Sequence, residues 1–185
     1  MKRMIGALLL AGLALPVAAD TAELNAEAKG IVKGFMGELK DELQAAMKAG
    51  GPVNAIEVCN RVAPSIAEKR SAQSGWQVAR TSLKLRNGGN APDPWERAAL
   101  ERFESRKAAG EPVEPMAYSE VVEEDGGQVF RFVKAIPTGE VCLKCHGGAL
   151  APEVQSQLDK LYPDDQARGY DLGDIRGAFT LKRQL

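Results

Sequence analysis

The chain is organised around the pentapeptide Cys142-Leu143-Lys144-Cys145-His146. It has the form C-x-x-C-H, the pattern through which proteins attach a c-type haem. Two thiols add to the haem vinyl groups, two intervening residues give the thiols the spacing of those vinyls, and the adjacent histidine ligates the iron. We therefore predict one covalently bound haem c, attached at Cys142 and Cys145, with His146 as an axial ligand.

Three other interpretations of the motif stay open. A zinc ion could be held by Cys59, Cys142, Cys145 and His146, although two adjacent residues ligate one small ion only awkwardly. A thioredoxin-like C-x-x-C would continue into a helix, which the glycine pair after the motif opposes. The third alternative is a chance match.

The amino terminus predicts export. A short cationic start at residues 1–3 is followed by an apolar run from Met4 to Leu15 and by small residues up to Ala19, the pattern of a secretory signal peptide. We predict that residues 1–19 are removed and that residues 20–185 form a single c-type haem domain. The apolar run is shorter than the roughly 20 residues that span a bilayer. In a bacterium, the mature protein would lie in the periplasm without a membrane anchor.

Composition and charge exclude several classes of partner and fold. The 185 residues include 24 basic and 25 acidic side chains, with a formal net charge of −1, and loss of Lys2 and Arg3 makes the mature chain more acidic. No basic surface of the kind that binds nucleic acid is indicated. There are three cysteines. Because the haem uses two of them, no disulfide framework is expected and Cys59 is left over.

Two helices are predicted at the start of the mature chain. Apolar residues recur at three- and four-residue steps over 21–49, and Gly50-Gly51-Pro52 should end that helix. Asn54 is placed to cap a second helix that carries Cys59. Pro64 should kink or break this second helix just after Cys59, because proline cannot donate a backbone hydrogen bond.

The remainder predicts an α+β fold with an antiparallel sheet. Asp93-Pro94-Trp95-Glu96 is a strong helix start, with a cap, a proline at the first helical position and a capping-box glutamate; this helix should run to about residue 109. A short helix is expected over 152–161. The predicted strands cover 76–78, 81–86, 117–123, 128–136 and 174–182. We expect the last strand to join the sheet of the 117–136 hairpin.

The second axial ligand is not fixed by the motif. His146 is the only histidine, so ligation by two histidines is excluded within one subunit. Small electron-carrier cytochromes usually take an axial methionine from downstream of the motif, and no methionine follows His146. Cys59 is the remaining soft ligand, although it could equally be a buried cysteine that serves as a small apolar side chain.

Haem propionates require cations or hydrogen-bond donors. The candidates in the predicted strands are Arg80, Lys84, Arg86, Arg131 and Lys134. Each of them could instead lie on a solvated strand face. Trp95 could pack on the haem edge or belong to the protein core, and Tyr118 is equally ambiguous.

Four segments carry a family resemblance. They are AIEVCNRVAPSIA (55–67), GWQVARTSLKLRN (75–87), NAPDPWE (90–96) and CLKCHG (142–147). In this order they resemble a family of exported single-haem c-type proteins with a PAS-like fold and His/Cys axial ligation. Similar domains form the extracytoplasmic sensor part of histidine kinases and chemoreceptors. The resemblance implies that N-terminal helices and a PAS-like antiparallel sheet pack around the haem, with Cys59 as the cysteine ligand and His146 as the histidine ligand.

These observations predict a periplasmic haem protein that is not an enzyme. It would act as a redox or gas-responsive sensor or as a low-potential electron-transfer protein, with an unidentified redox protein as partner and a small gas as candidate ligand. The alternative is a cytochrome c′-like helical bundle that binds gas at an open sixth coordination site. A peroxidase-type enzyme would need a distal histidine as acid–base group, and the sequence offers none besides His146.

Overall fold

The computed structural model describes residues 17–185, with side chains from Thr21 onward. Residues 1–16, and with them most of the predicted signal peptide, lie outside this range. Among the described helices, none combines the length and the apolar character that crossing a membrane requires.

The first element is a long helix, α1 (Val17–Ser74), which is interrupted at Gly50 (φ −160°, ψ 20°) and Gly51 (φ 70°, ψ −163°). Gly51 has the left-handed φ that glycine adopts without steric cost. The predicted break at these glycines is confirmed. Residues 17–49 are called the first arm below, and residues 52–74 the second arm.

The second arm differs from expectation in two respects. Asn54 does not cap it, because the arm is already helical at that point; the Asn54 side chain instead donates a hydrogen bond of 2.9 Å to the Ala46 carbonyl of the first arm. Pro64 does not break the arm, which stays helical to its end. The neighbouring Ala63 and Ile66 are buried and hold the helix against the protein on both sides of the proline.

One antiparallel sheet forms the centre of the fold. Its strands are β1 (Gln77–Thr81), β2 (Ala117–Glu124), β3 (Gly127–Pro137) and β4 (Ile175–Gln184). Their spatial order is β1-β4-β3-β2. The last strand of the chain thus lies inside the sheet and pairs with β3, which confirms the prediction that it joins the hairpin.

The predicted strand over 81–86 is wrong. β1 ends at Thr81, because the chain turns at Ser82, whose amide donates to the Asn90 carbonyl at 3.2 Å. The Ser82 hydroxyl donates to the Lys84 carbonyl at 2.9 Å and closes the turn. Lys84 and Arg86 therefore lie in a loop, which leads into the 3₁₀ turn Gly88–Asn90.

Helices cover both faces of the sheet. On one face, α1 packs Phe35 and Ile66 against Phe130 and Phe179. On the other lies α2 (Pro94–Ala108), which begins with the predicted capping box. Two short helices follow β3: α3 (Glu140–His146) and α4 (Pro152–Leu161). The α+β prediction is confirmed. The helical-bundle alternative is wrong, because the centre of the molecule is a four-stranded sheet.

Candidate haem site

The C-x-x-C-H motif forms the short helix α3 and lies next to the second arm and α4. The helix ends where the glycines begin, since the Gly147 amide makes a 2.9 Å hydrogen bond to the Leu143 carbonyl. Cys142 and Cys145 are free thiols and are partly exposed. Cys145 also packs against the buried cluster of Ile56, Val154 and Leu158. The motif is thereby anchored to the arm that carries Cys59.

The backbone around Ala167 fixes the ring of His146. Nδ1 lies 2.7 Å from the Ala167 carbonyl oxygen, which can only accept, so the proton of the neutral ring is on Nδ1. The Tyr170 amide donates to the His146 carbonyl at 2.9 Å, and the Tyr170 ring meets the imidazole edge-on with centroids 6.1 Å apart. This is the tautomer that leaves the lone pair of Nε2 available to a metal.

Two guanidinium groups lie at the available nitrogen. Arg86 Nη1 is 3.2 Å from Nε2, and Arg176 Nε is 3.1 Å from each ring nitrogen. Burial, followed by the positive charges of Arg176 and Arg86, holds the pKa of His146 well below its usual range. The imidazole is therefore neutral at neutral pH, the form in which it ligates a metal.

Arg86 connects the motif to the segment that follows α4. Its Nε and Nη2 each lie 3.1 Å from one oxygen of the Asp165 carboxylate, a bidentate pair in which the Asp165 side chain is 0 % exposed. Nη2 also donates to the carbonyls of Cys145 at 2.6 Å and Ala167 at 3.1 Å. The charge of Arg86 is thus matched by a buried carboxylate. Its N–H groups also bind the backbone of Cys145, which precedes His146, and that of Ala167, whose carbonyl contacts the His146 ring.

Cys59 is partly buried on the second arm. Burial raises the pKa of its thiol, while the positive charges of Arg80 and Arg86 act in the opposite direction. Burial likewise raises the pKa of Cys145, on which Arg86 and Cys59 also act electrostatically. The helix that carries Cys59 and the helix that carries the motif therefore bring their sulfur atoms into one region, beside the same guanidinium groups.

The charges of this region do not balance. Three guanidinium groups act on the imidazole of His146, those of Arg176, Arg86 and Arg80. Within the described residues, only Arg86 among them forms an ion pair, with Asp165. Such an arrangement favours a ligand that brings negative charge, and a haem has two propionate carboxylates. The neutral imidazole, the two motif thiols and this surplus of positive charge together fit a c-type haem.

Six of the residues proposed from the sequence come together. They are Cys59, Arg80, Arg86, Cys142, Cys145 and His146. Lys84 lies nearby, with its Nζ 4.6 Å from the Tyr170 ring centroid.

The structure does not bring Trp95 and Lys134 to the motif, which corrects both predictions. Trp95 packs with the α2 face of the sheet, where it stacks on Tyr118 with centroids 5.5 Å apart and donates to Glu120 at 2.9 Å. Lys134 donates to the Glu114 carbonyl. Both side chains therefore have protein partners away from His146.

Sequence reasoning missed three members of the site: Asp165, Tyr170 and Arg176. A glycine inside a predicted strand commonly marks a bulge, so the Arg176-Gly177 pair offered a clue. Asp165 and Tyr170 lie in irregular backbone after α4, where no periodicity points to a function.

The zinc alternative finds no support in the fold. Within residues 17–185, no group of three or more His, Cys, Asp or Glu side chains is placed to hold a metal ion. The three cysteines and His146 therefore do not form a four-ligand zinc site.

Comparisons with known proteins agree with this geometry. A search of curated proteins finds no match. Among solved structures, the chain is similar to the crystal structure of the cyanobacterial heme-protein Tll0287, with a TM-score of 0.63 and 24% sequence identity. The match covers 85% of this chain and 95% of that one, and it shows that the two share a fold. The model of the Tll0287-like family matches residues 16–183, and the chain therefore belongs to the Tll0287-like family.

Proposed function

We propose that this protein carries one covalent haem c, bound through Cys142 and Cys145, and that His146 and Cys59 are its axial ligands. The observation that carries the proposal is the 2.7 Å contact of His146 Nδ1 with the Ala167 carbonyl. It assigns the ring proton to Nδ1 and leaves on Nε2 the lone pair through which a metal would bind, although Arg86 Nη1 lies 3.2 Å from that nitrogen in this structure. The structure of a haem protein with the same fold supports it.

Covalent attachment can be tested by extraction. Acid–acetone removes haem that is held only by coordination, whereas thioether bonds survive it. Protein expressed with the haem-attachment machinery of a bacterial periplasm should keep its haem on the polypeptide. Haem that passes entirely into the acetone, or a protein purified with zinc instead of iron, would refute the assignment.

Cys59 is proposed as the ligand opposite His146. Burial raises the pKa of the free thiol, and the charges of Arg80 and Arg86 act against this rise. Bound to iron as the thiolate, the sulfur would stabilise the ferric state and lower the reduction potential. Cys59→Ser should abolish the low-spin thiolate signature in the ferric electron paramagnetic resonance spectrum and raise the midpoint potential. The exposed Ser65 on the same arm offers a control, Ser65→Ala, that should change neither. An unchanged ferric spectrum in Cys59→Ser would exclude Cys59 and direct the search to Met36, Met47 and Met116.

The physiological role that follows is redox or gas-responsive sensing, or electron transfer at low potential, in the periplasm. When bound, the haem supplies one-electron redox chemistry at its iron. Reduction of a bound haem would remove positive charge from its iron, so that the Cys59 thiolate would be held less tightly and a small gas such as carbon monoxide could take its place. Carbon monoxide should therefore bind the reduced protein and not the oxidised one. Tight binding to neither state would favour the electron-transfer role.

A further inference from the structure

Two guanidinium groups near His146 have no carboxylate partner. Within the described residues, neither Arg80 nor Arg176 forms an ion pair, whereas Arg86 does so with Asp165. Burial lowers the pKa of Arg80 below its usual value and lowers that of Arg176 to about 10. Arg80 and Arg176 are each half-buried, and a cation that loses water without gaining an anion is costly to the fold. Two such cations near one site therefore indicate an anionic ligand.

The sheet is locally distorted at Arg176. β3 pairs Ile136 with Gly177 and Pro137 with Ile175, so Arg176 is the extra residue of a β-bulge. Gly177 has φ 147°, and a Cβ at this position would overlap the Thr81 carbonyl oxygen. Bulges re-aim side chains and are frequent beside functional sites. This one directs the guanidinium of Arg176 to His146 instead of continuing the alternation of the strand.

Arg80 reaches the same region from the neighbouring strand. It lies on β1, on the sheet face that α1 covers, with its guanidinium carbon 5.9 Å from the centroid of the Phe35 ring. Electrostatically it acts on Cys59 and His146. Arg80 and Arg176 thus approach one site from adjacent strands, β1 and β4.

We infer that Arg80 and Arg176 are the residues that bind the two propionate carboxylates of the haem, and that Arg86 is not. The inference rests on the proposed function and specifies which residues recognise the anionic edge of the cofactor. Guanidinium groups suit this task because they bind carboxylates through two parallel hydrogen bonds. Arg86 is already paired with a fully buried carboxylate, and Lys134 makes its contacts elsewhere.

The test uses the purified holoprotein and five variants: Arg80→Gln, Arg80→Lys, Arg176→Gln, Arg176→Lys and the control Lys134→Gln. Resonance Raman spectra of the propionate bending bands report hydrogen bonding to the carboxylates, and redox titration gives the midpoint potential. Both glutamine variants should shift the propionate bands and lower the potential, because removal of a nearby positive charge stabilises ferric iron. Arg176→Lys should shift the bands while the potential stays close to that of the wild type. Lys134→Gln should change neither.

The outcomes separate this inference from the function on which it rests. Attached haem with unchanged propionate bands in both glutamine variants would overturn the inference and leave the proposed function standing. Wild-type protein without covalent haem would overturn the proposed function itself. If a glutamine variant acquires no haem, the corresponding lysine variant at that position decides: unchanged bands there contradict the inference, and shifted bands support it.

Discussion

Two clusters of charged side chains lie in different parts of the molecule, and they are built in opposite ways. On the α2 face, Arg131 contacts three carboxylates, those of Asp93, Glu96 and Glu124, and Lys182 adds a second cation. We call this the closed cluster. Each of its two cations has a carboxylate partner.

The open cluster, beside His146, consists of Arg80, Arg86, Arg176 and Asp165. Its three cations face a single carboxylate, with which only Arg86 of the three pairs and which Arg168 also contacts. On the proposed function, charge serves the stability of the fold in the closed cluster and the binding of haem in the open one. Removal of a cation from the closed cluster should lower the free energy of unfolding, whereas removal of an unpaired cation from the open cluster should weaken the binding of an anion.

The largest effect is expected from removal of the central cation of the closed cluster. Arg131→Met removes the buried cation that three carboxylates share and leaves the buried Glu96 without its ion-pair partner. It should lower the free energy of unfolding by about 3–5 kcal/mol. The matched substitution Arg176→Met, in protein that lacks haem because both motif cysteines are alanine, should cause no loss. Denaturant unfolding of the two variants measures the contrast. Equal destabilisation would remove the distinction between the clusters.

A second prediction concerns the bulge that orients Arg176. Gly177→Ala places a Cβ against the Thr81 carbonyl in a backbone conformation with φ 147°, so the free energy of unfolding should fall by about 1–3 kcal/mol. The holoprotein should also show the shifted propionate bands expected of Arg176→Gln. As a control, Gly30→Ala lies in open space on α1 and should stabilise the helix by about 1 kcal/mol. Unaltered stability in Gly177→Ala would show that the bulge is not constrained as described.

The closed cluster should also reveal itself in the pH dependence of stability. Burial alone would raise the pKa of Asp93, but hydrogen bonds from the Glu96 amide, Arg131 and Lys182 outweigh it and hold that pKa below the ordinary value. A lowered pKa in the folded state means that ionised Asp93 stabilises the fold above its unfolded-state pKa of about 3.9. This stabilisation is lost as the pH falls through the lower pKa of the folded state.

Asp93→Asn tests this dependence. At pH 6 the variant should be less stable than the wild type by about 1 kcal/mol, and the difference should shrink as the pH falls below the unfolded-state value. Asn caps a helix about as well as Asp, so the change reports the charge and not the cap. A difference that stays constant down to the acid transition would contradict the role assigned to the carboxylate.

The smallest effect is expected at Trp95. Its ring lies under the guanidinium of Arg131, with 4.5 Å from the guanidinium carbon to the ring centroid. Trp95→Phe weakens this contact and removes the hydrogen bond to Glu120, which should cost about 0.5–1 kcal/mol. The haem absorption and paramagnetic resonance spectra should be unchanged. A shifted Soret band would mean that Trp95 contacts the cofactor after all.

The sequence predicts most of the fold because its elements carry strong local patterns. The capping box at Asp93 and the hairpin turn at 125–126 are local, and both appear in the structure. The strand over 81–86 fails for a physical reason: Leu83 alternates with polar neighbours as in a strand, but it packs against the α2-face core from a loop. An alternation of apolar and polar residues indicates which side chains are buried. A loop can bury every second side chain as a strand does, so the pattern alone does not predict a strand.

The sequence predicts the site only at positions where a motif specifies the residue type. The motif residues and Cys59 are recognised by residue type, and the comparisons confirm the resemblance only as far as a family of haem proteins and an α+β fold. Arg176 is brought to His146 by a bulge that depends on pairing with β3, and Lys134 is directed elsewhere by the same sheet. Which strand cation comes to lie beside His146 is decided by the packing of the sheet, so the sequence could not separate Arg176 from Lys134.

The most direct test of the account is the intact mass of the denatured protein after expression with periplasmic haem-attachment machinery. We predict the mass of the polypeptide plus one haem, and the mass of the bare polypeptide when Cys142 and Cys145 are both replaced by alanine. Cys59→Ser should retain the added mass, because Cys59 is assigned to the iron and not to the attachment. A wild-type chain that carries no added haem mass would contradict the central claim.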